Sequence, residues 1–312
     1  MKSCVLCYVF MKFEFTELIK IIENIDSQAN ILTIQPGGNH GDTLIYHGFR
    51  EIQNQRNWNA EELLPGGITT HETDEFPNQI INRIKYGISN VVLDANPIKL
   101  LKKRLSHDFD AVYIHGGGNF NDLWGNSIKN YKLVSKFFDC PIIIGPQSVQ
   151  FDYSDPNKIF SEVNNETHFL CRETFSYDLM KEIEINHDHL HVYIEHDTAF
   201  KLKPSDFSFS LTQSYSTLVA MRQDKESVNP KILESCEPPI LFLDVSRMAK
   251  TYKEFVNIIV SAEYIHTDRL HVAVLGHILN KQLTLYGNGY HKNKGVYEYS
   301  IFDDPNISFV ED

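Results

Sequence analysis

The stretch from residue 31 to residue 43 reads Ile-Leu-Thr-Ile-Gln-Pro-Gly-Gly-Asn-His-Gly-Asp-Thr, and it decides the predicted fold class. A short apolar run comes first, a glycine-bearing turn follows, and a helix predicted from Asp42 to Arg56 presents apolar residues on one face. An apolar run of this length is typical of a strand that is buried on both faces of a parallel sheet. The stretch therefore indicates one strand–turn–helix unit of an α/β protein.

The same unit recurs along the chain. Further strands are predicted at 91–93, 111–114, 142–144, 191–194, 217–221, 240–245, 263–266 and 283–286. Further helices are predicted at 97–105, 126–138, 172–183, 249–261, 269–280 and 292–301. A polar, serine-rich stretch at 204–216 is interpreted as a linker. We therefore predict two Rossmann-like domains, 1–203 and 217–312, whose strand ends face each other across a cleft that binds the ligands.

Composition excludes several classes of protein. The chain has 312 residues, 42% of them hydrophobic, which is enough for a packed core and not typical of a disordered protein. Its net charge of −12 disfavours nucleic acid as a partner. A few arginines in one pocket can still bind a small anion, because a local field outweighs the mean charge.

The cysteines and the N-terminal residues bear on location. The five cysteines are scattered, and only Cys4 and Cys7 have a CxxC spacing, so we expect a reduced, cytoplasmic chain without a zinc site. The apolar run from Cys4 to Phe10 is about seven residues long, against roughly 20 for a membrane span. We expect this run to be a first strand or an extended start, and we predict no integral membrane segment.

Two glycine clusters follow predicted strands and are candidates for binding a ligand. In the first, Gly38, Asn39 and Asp42 lie at a strand-to-helix turn, where a helix N-terminus favours anions. A tight turn with Asp42 as N-cap explains this cluster equally well. The second cluster contains Gly116, Gly117, Gly118 and Asn119, and three consecutive glycines indicate unusual backbone angles or close contact with a ligand. Gly145-Pro146-Gln147 is a third loop of this kind.

Cationic residues lie at the ends of other predicted strands. Arg172 opens a helix, where a bound anion or a neighbouring carboxylate such as Glu173 would offset the helix dipole. Arg269 and His271 lie at the densest strand-to-helix turn, where a guanidinium can bind phosphate or carboxylate and an imidazole can move a proton. The other cations at strand ends are Arg222, Lys292 and Lys294. The late histidines (His266, His271, His277 and His291) form no HxxxH or HExxH pair on one helical face, so we predict no metal site.

These motifs, taken in order, resemble the polysaccharide pyruvyl transferase family. The resemblance covers about residues 31 to 301 and rests on Gly38…Gly41-Asp42, Gly116-Gly-Gly118-Asn119, Gly145-Pro146, Arg172-Glu173…Ser176, Asp197-Thr-Ala199, Arg222, Asp268-Arg269-Leu-His271 and Tyr290-His-Lys292-Asn-Lys294. The loops at about 57–80 and 119–130, which would face the sugar, match nothing in the family pattern. His277 also stands where the pattern has a small residue.

The resemblance implies a fold similar to the B-type glycosyltransferases and transfer of an enolpyruvyl-derived group from phosphoenolpyruvate to sugar hydroxyls, forming a pyruvate ketal. Phosphoenolpyruvate would be a co-substrate, with no cofactor. The acceptor would be a sugar or glycan that is free, nucleotide-bound or lipid-linked. The reaction would take place in the cytoplasm or at the inner face of the membrane. The N-terminal domain would bind the acceptor and the C-terminal domain the donor.

The residue types suit this chemistry. Arg172, Arg222, Arg269, Lys292 and Lys294 would bind the donor, which carries a phosphate and a carboxylate. Protonation of the enol carbon needs a general acid, and this requirement indicates His271, with Arg269 stabilising the phosphate as it leaves. The acceptor is expected at the two glycine clusters.

Two other functions are compatible with the sequence. A glycosyltransferase of the same fold, or a related sugar epimerase, would use a nucleotide sugar. Such an enzyme would need a carboxylate late in the second half to bind the ribose, and Glu298 is available. A sugar-binding protein without catalysis would have no need for Arg172, Arg222, Arg269 and His271 together.

Overall fold

The computed structural model describes residues 13–63, 108–209, 214–224, 226 and 240–311. The predicted strand at 91–93, the predicted helix at 97–105 and the run from Cys4 to Phe10 lie outside the described residues. The described part is mixed α/β with two sheets, and all strand pairs in both sheets are parallel, as predicted.

The first sheet contains seven strands in the order β2-β1-β3-β5-β6-β7, with β4 paired to β5. Its strands are β1 (Asn30–Ile34), β2 (Asn59–Leu63), β3 (Ala111–Ile114), β4 (Gly117–Asn121), β5 (Ile142–Gln150), β6 (Thr167–Cys171) and β7 (Leu190–Ile194). The second sheet contains five strands in the order β12-β11-β10-β8-β9. Its strands are β8 (Tyr215–Ala220), β9 (Ile240–Phe242), β10 (Ala262–Thr267), β11 (Gln282–Tyr286) and β12 (Ile307–Val310).

Helices connect most of these strands. The α-helices are Thr16–Ile25, His40–Arg56, Asn126–Val134, Pro156–Ser161, Thr174–Glu184, Val245–Met248, Tyr252–Val260, Leu270–Ile278 and Lys292–Val296. Short 3-10 helices occur at Thr198–Lys201 and Pro204–Asp206, and a π-helical turn at Tyr297–Ile301 continues the last α-helix. Helix starts follow their caps: Glu173 accepts from the backbone N–H of Ser176, so that helix begins at Thr174 rather than Arg172.

Some predicted loops and boundaries differ from the structure. Gly145-Pro146-Gln147 lies inside β5 rather than in a loop, because the strand tolerates a register shift against β6 between Ile144 and Gln147. β4 likewise begins within the triple-glycine cluster, at Gly117. The predicted strand at 240–245 ends at Phe242, because the chain turns at Asp244 into the next helix. β8 begins at Tyr215, inside the predicted linker.

Helix His40–Arg56 joins the two sheets. It packs against helices Tyr252–Val260 and Leu270–Ile278, and one continuous core cluster holds residues of both sheets, among them Ile31 and Ile265. Gly48 of this helix lies so close to the backbone of Thr198 that no Cβ would fit. The division into domains at 204–216 stays a prediction. Among the described residues, no helix is long and apolar enough to cross a membrane.

Candidate active site

A cavity of about 340 Å³ lies where the strand ends of the two sheets meet. In each sheet, the next two strands along the chain lie on opposite sides of the first one. β1 lies between β2 and β3, and β8 lies between β9 and β10. Ligands of parallel α/β folds bind at such points. The cavity lining includes Gly38, Asn39, Asp42, Gly118, Asn119, Arg172, Arg222, Arg269, His271 and Lys292.

His271, which follows a strand of the second sheet, lies between two carboxylates that follow strands of the first sheet. Its Nε2 is 3.3 Å from Asp197 Oδ2, and its Nδ1 is 3.7 Å from Asp42 Oδ1. His271 is the second residue of helix Leu270–Ile278, as the sequence predicted for the start of that helix. The two carboxylates orient the ring and leave it at the cavity wall, a position suited to moving a proton.

The N-terminus of helix His40–Arg56 brings Asp42 to His271. The Asn39 side chain accepts from the Gly41 backbone N–H, and Asp42 Oδ2 accepts from the Asn39 N–H at 2.8 Å, so the helix start is capped in both directions. A Cβ on Gly41 would come within 2.7 Å of the His271 Cβ. Asp42 therefore stabilises the helix start through Oδ2 and faces the imidazole with Oδ1.

Arg172 forms a buried ion pair with Asp197. Arg172 Nη1 donates to Asp197 Oδ2 at 2.7 Å, its Nε donates to Ser148 Oγ at 2.8 Å, and both charged side chains are 1% exposed. The sequence left open whether an anion or a carboxylate offsets Arg172; the structure pairs it with Asp197, while Glu173 caps the helix.

The pKa of the Asp197 carboxyl reflects these partners. Burial alone would raise this pKa. The hydrogen bond and charge of His271 and the charge of Arg172 outweigh burial and hold the pKa well below its usual value. Asp197 is therefore a fixed negative charge that contacts both Arg172 and His271.

The other two arginines also have carboxylate partners. Arg269 binds Asp244 through both Nε (2.8 Å) and Nη2 (2.7 Å), and Asp244 is 2% exposed. Arg222 likewise forms a bidentate pair with Asp224, through Nε at 2.8 Å and Nη2 at 2.9 Å. Its Nη2 also lies 3.3 Å from Glu226 Oε1. An incoming anion meets guanidinium groups that these bidentate pairs hold in fixed orientations.

The lysines of the last motif have different surroundings. Lys292 lines the cavity, pairs with Glu226 and lies 4.9 Å from the ring centre of Tyr290. Burial, together with the charges of Arg222 and Arg172, lowers the pKa of Lys292 to about 8, although Glu226 opposes the shift. Lys294 does not reach the cavity: its Nζ pairs with Glu311 at 2.8 Å. The structure therefore does not support donor binding by Lys294.

The triple-glycine cluster has two separate roles. A Cβ on Gly116 would collide with the backbone of Pro146, so Gly116 allows two strands to approach, and Gly117 has a positive φ of 133°. Neither lines the cavity, whereas Gly118 and Asn119 do. A Cβ on Gly118 would lie 3.0 Å from the Tyr290 hydroxyl and 3.4 Å from Arg172 Nη2. Gly118 thus leaves open the space beside Arg172.

Several residues of the site were not predicted, among them Trp124, Asn126, Asp224, Glu226, Asp244 and Arg247. The spacing of Asp224 and Glu226 after Arg222 is a sequence signal for local ion pairing. Asp244 lies inside a predicted strand. Trp124 contacts Glu226, which is 102 positions later in the sequence. Neither contact has a local signal in the sequence.

The cavity differs in charge from the chain as a whole. Among the described lining residues, five side chains are cationic (Arg172, Arg222, Arg247, Arg269 and Lys292) and three are carboxylates (Asp42, Asp224 and Glu226). In a chain of net charge −12, cations thus outnumber carboxylates at the cavity wall, while Asp197 and Asp244 lie behind the arginines that they pair with. Guanidinium groups at the wall favour a small anion. Within the described ranges, no group of three or more His, Cys, Asp or Glu could hold a metal ion.

Glu298, which would bind ribose in a nucleotide-sugar enzyme, lies elsewhere. It lines a second cavity of about 550 Å³ together with Phe13, His196 and Tyr299, and it is not part of the cavity at His271. The described structure therefore gives the nucleotide-sugar alternative no carboxylate at the position on which that alternative depended.

Comparisons with known proteins agree with the sequence motifs. A family model described as polysaccharide pyruvyl transferase matches residues 39–290, which is most of the chain. General stress protein 30 of Bacillus subtilis is 24% identical over 236 residues, which cover 69% of this chain and 66% of that protein. The chain thus spans just under two thirds of the length of this relative.

Comparison with solved structures supports the mixed α/β fold. The crystal structure of a functionally uncharacterised protein from Klebsiella pneumoniae has a TM-score of 0.65 at 19% identity, covering 95% of this chain and 97% of that one. E. coli heptosyltransferase WaaC with ADP has a TM-score of 0.41 at 12% identity, covering 90% of this chain and 93% of that one.

Proposed function

Because the chain belongs to the polysaccharide pyruvyl transferase family, a family of transferases, we propose that it moves the enolpyruvyl-derived group of phosphoenolpyruvate onto two hydroxyls of a sugar. The product is a pyruvate ketal on a glycan or glycan precursor. One observation carries the proposal: His271 lies between Asp42 and Asp197 at the wall of a cationic cavity.

The donor occupies the cavity beside Arg172, Arg222, Arg269 and Lys292. Phosphoenolpyruvate has a phosphate and a carboxylate, and charge-assisted hydrogen bonds from guanidinium groups suit both. The cations are already paired with carboxylates, so their geometry is fixed before the donor arrives. Such preorganised charges stabilise negative charge in a transition state without reorganising.

Transfer begins with a proton from His271 to the methylene carbon of the donor. The resulting cation at the neighbouring carbon is attacked by one sugar hydroxyl, which loses its proton. The C–O bond to phosphate then breaks, inorganic phosphate leaves with the bonding electron pair, and the second hydroxyl attacks and loses its proton. One hydroxyl proton returns to His271 and the other goes to the departing phosphate, so one donor and two hydroxyls give one ketal and one inorganic phosphate.

We place the acceptor among the residues of the first sheet and the donor among those of the second, as in two Rossmann-like domains that face each other across a cleft. Arg172 is the exception, since it reaches the cavity from the first sheet. We expect the reaction to take place in the cytoplasm or at the inner face of the membrane, with no metal and no cofactor. The acceptor is a glycan, free or lipid-linked.

The first test measures which donor binds the protein, and the second measures which acceptor reacts. A ligand at 100 times its Kd stabilises a protein by about 2.7 kcal/mol, so thermal unfolding detects the donor that binds. Phosphoenolpyruvate should raise the unfolding temperature, whereas nucleotide sugars should not. Incubation with phosphoenolpyruvate and a panel of glycans should then release phosphate and ketal in equal amounts. Stabilisation by a nucleotide sugar and not by phosphoenolpyruvate would contradict the proposal.

A further inference from the structure

A partly exposed tryptophan lines the same cavity. The Trp124 side chain is 38% exposed, although large aromatic residues are usually buried. Its Nε1–H donates to Glu226 Oε1 at 2.8 Å, and Glu226 is 3% exposed. This bond fixes the indole at the cavity while part of its surface remains open to solvent.

The loop that carries Trp124 is tied to the glycine cluster. The backbone N–H of Trp124 donates to Asn121 Oδ1 at 2.9 Å, and Asn121 Nδ2 donates to the Gly118 carbonyl at 2.9 Å. Gly118 in turn lies against Tyr290 and Arg172. The position of the indole is therefore coupled to the residues around the donor.

Glu226 links the indole to a donor-binding cation. One oxygen of this carboxylate accepts from Trp124 Nε1, and the other accepts from Lys292 Nζ. Trp124 and Lys292 thus lie on either side of a single carboxylate. A ligand in contact with the indole therefore shares the cavity with a donor held by Lys292.

The residues around Trp124 differ chemically from the cations. Asn119 and Asn126 also line the cavity, and an amide side chain both donates and accepts hydrogen bonds, as a sugar hydroxyl does. An aromatic ring offers an apolar face with a polar N–H at its edge. Uncharged amides beside an exposed indole suit a neutral, polyhydroxylated ring better than an anion.

We propose that Trp124 is the platform on which a neutral pyranose ring of the acceptor stacks, with Asn119 and Asn126 binding its hydroxyls. This assignment rests on the proposed function and adds the position and chemical class of the acceptor. The acceptor sugar then covers the exposed surface of the Trp124 indole during the reaction. Glu226 holds the platform in place and is not itself in contact with the sugar.

Tryptophan fluorescence gives a direct binding test without turnover. The chain has two tryptophans, and Trp58 is only 3% exposed, so acrylamide in solution quenches Trp124 selectively. The probes are the methyl pyranosides of glucose, galactose and mannose, added without phosphoenolpyruvate. We expect at least one of them to reduce quenching about twofold, since pockets cover most of a bound ligand. Unchanged quenching with all three would overturn the assignment.

The kinetics of two Trp124 variants distinguish the contribution of the aromatic ring from that of its Nε1 hydrogen bond. Trp124→Ala removes the ring and should raise the acceptor KM about tenfold or more, whereas Trp124→Phe keeps a ring and should change KM only a few-fold. Leu123→Ala is the matched control, because Leu123 is 37% exposed and does not line the cavity. An acceptor KM that Trp124→Ala leaves unchanged would overturn the assignment.

These results are distinguishable from failure of the proposed function. Protection of Trp124 by a sugar without any binding of phosphoenolpyruvate would reject the donor and keep the platform. Ketal formation with a normal acceptor KM in Trp124→Ala would reject the platform and keep the reaction.

Discussion

His271 Nε2 lies 3.3 Å from Asp197 Oδ2, although the two residues are 74 positions apart and follow strands of different sheets. The same carboxylate oxygen accepts from Arg172 Nη1 at 2.7 Å. One buried oxygen therefore fixes the general acid of the proposed reaction relative to a donor-binding arginine. The relative placement of the two sheets determines whether the site is assembled.

The Asp197 ion pair is expected to contribute strongly to stability. Asp197→Asn leaves the Arg172 guanidinium buried without its counter-charge, so the free energy of unfolding should fall by about 3–5 kcal/mol at pH 7. Glu162→Gln, which removes an exposed partner of Lys132, should leave the unfolding free energy near that of the wild type. Denaturant unfolding measures both changes.

The contribution of Asp197 should depend on pH with a definite sign. Its folded pKa lies below the unfolded value of about 3.9, so the stabilisation is present above that pH and is lost as the pH falls towards the folded pKa. The difference in unfolding free energy between the wild type and Asp197→Asn should therefore become smaller at acidic pH. A difference that grew as the pH fell below about 4 would contradict this assignment of charge.

Removal of Arg269 should affect both stability and donor binding. Arg269→Ala leaves Asp244 buried without its partner, so the unfolding free energy should fall by about 3–5 kcal/mol, and donor affinity should fall at least about tenfold. The double substitution Arg269→Ala, Asp244→Asn removes the unpaired charge. It should recover much of the stability and none of the donor affinity, measured by calorimetry.

A methyl group at Gly118 should obstruct the donor. The Cβ of Gly118→Ala would lie 3.0 Å from the Tyr290 hydroxyl and 3.4 Å from both Arg172 Nη2 and Lys292 Cδ. We expect donor affinity to fall about tenfold or more, because side chains that bind the donor must shift. In Gly289→Ala the new Cβ meets only the Glu226 Cα at 3.8 Å, so this variant is the control. Equal donor affinity in the two variants would be evidence against a donor site beside Arg172.

Donor affinity should fall as the pH rises above 8. Lys292 has a pKa of about 8, so it is charged below that pH and loses the charge that attracts phosphate above it. Calorimetry at pH 7 to 10 should show affinity falling by up to roughly tenfold per pH unit above pH 8. Lys292→Gln should bind weakly at all these pH values without that slope. An identical slope in wild type and Lys292→Gln would exclude Lys292 as its origin.

Much of the fold follows from local patterns in the sequence. The runs at 111–114 and 283–286 are buried strands, and both were predicted from apolar composition alone. Errors occur where a cap or an irregular strand decides the boundary, as at Thr174 and at Gly145. Such features depend on single hydrogen bonds and register shifts, which apolar patterns do not encode.

The site was predicted in part. The ends of parallel strands meet at one edge, so the cations Arg172, Arg222, Arg269 and Lys292 converge in one cavity as expected. Their carboxylate partners were missed, because pairs such as Arg269 and Asp244 form through tertiary contact between distant segments. Lys294 lies only two residues after Lys292, yet it faces Glu311 rather than the cavity.

The measurement that tests the central claim most directly is turnover and donor affinity of His271→Gln, determined separately. Glutamine can still bind Asp197 but cannot donate a proton as an acid. We predict that Kd for phosphoenolpyruvate changes only a few-fold while kcat for ketal formation falls about 10²–10⁴-fold, the usual effect of removing a positioned acid. Weaker donor binding with a near-normal kcat at saturation would mean that His271 only binds phosphate, and would contradict its role in proton transfer.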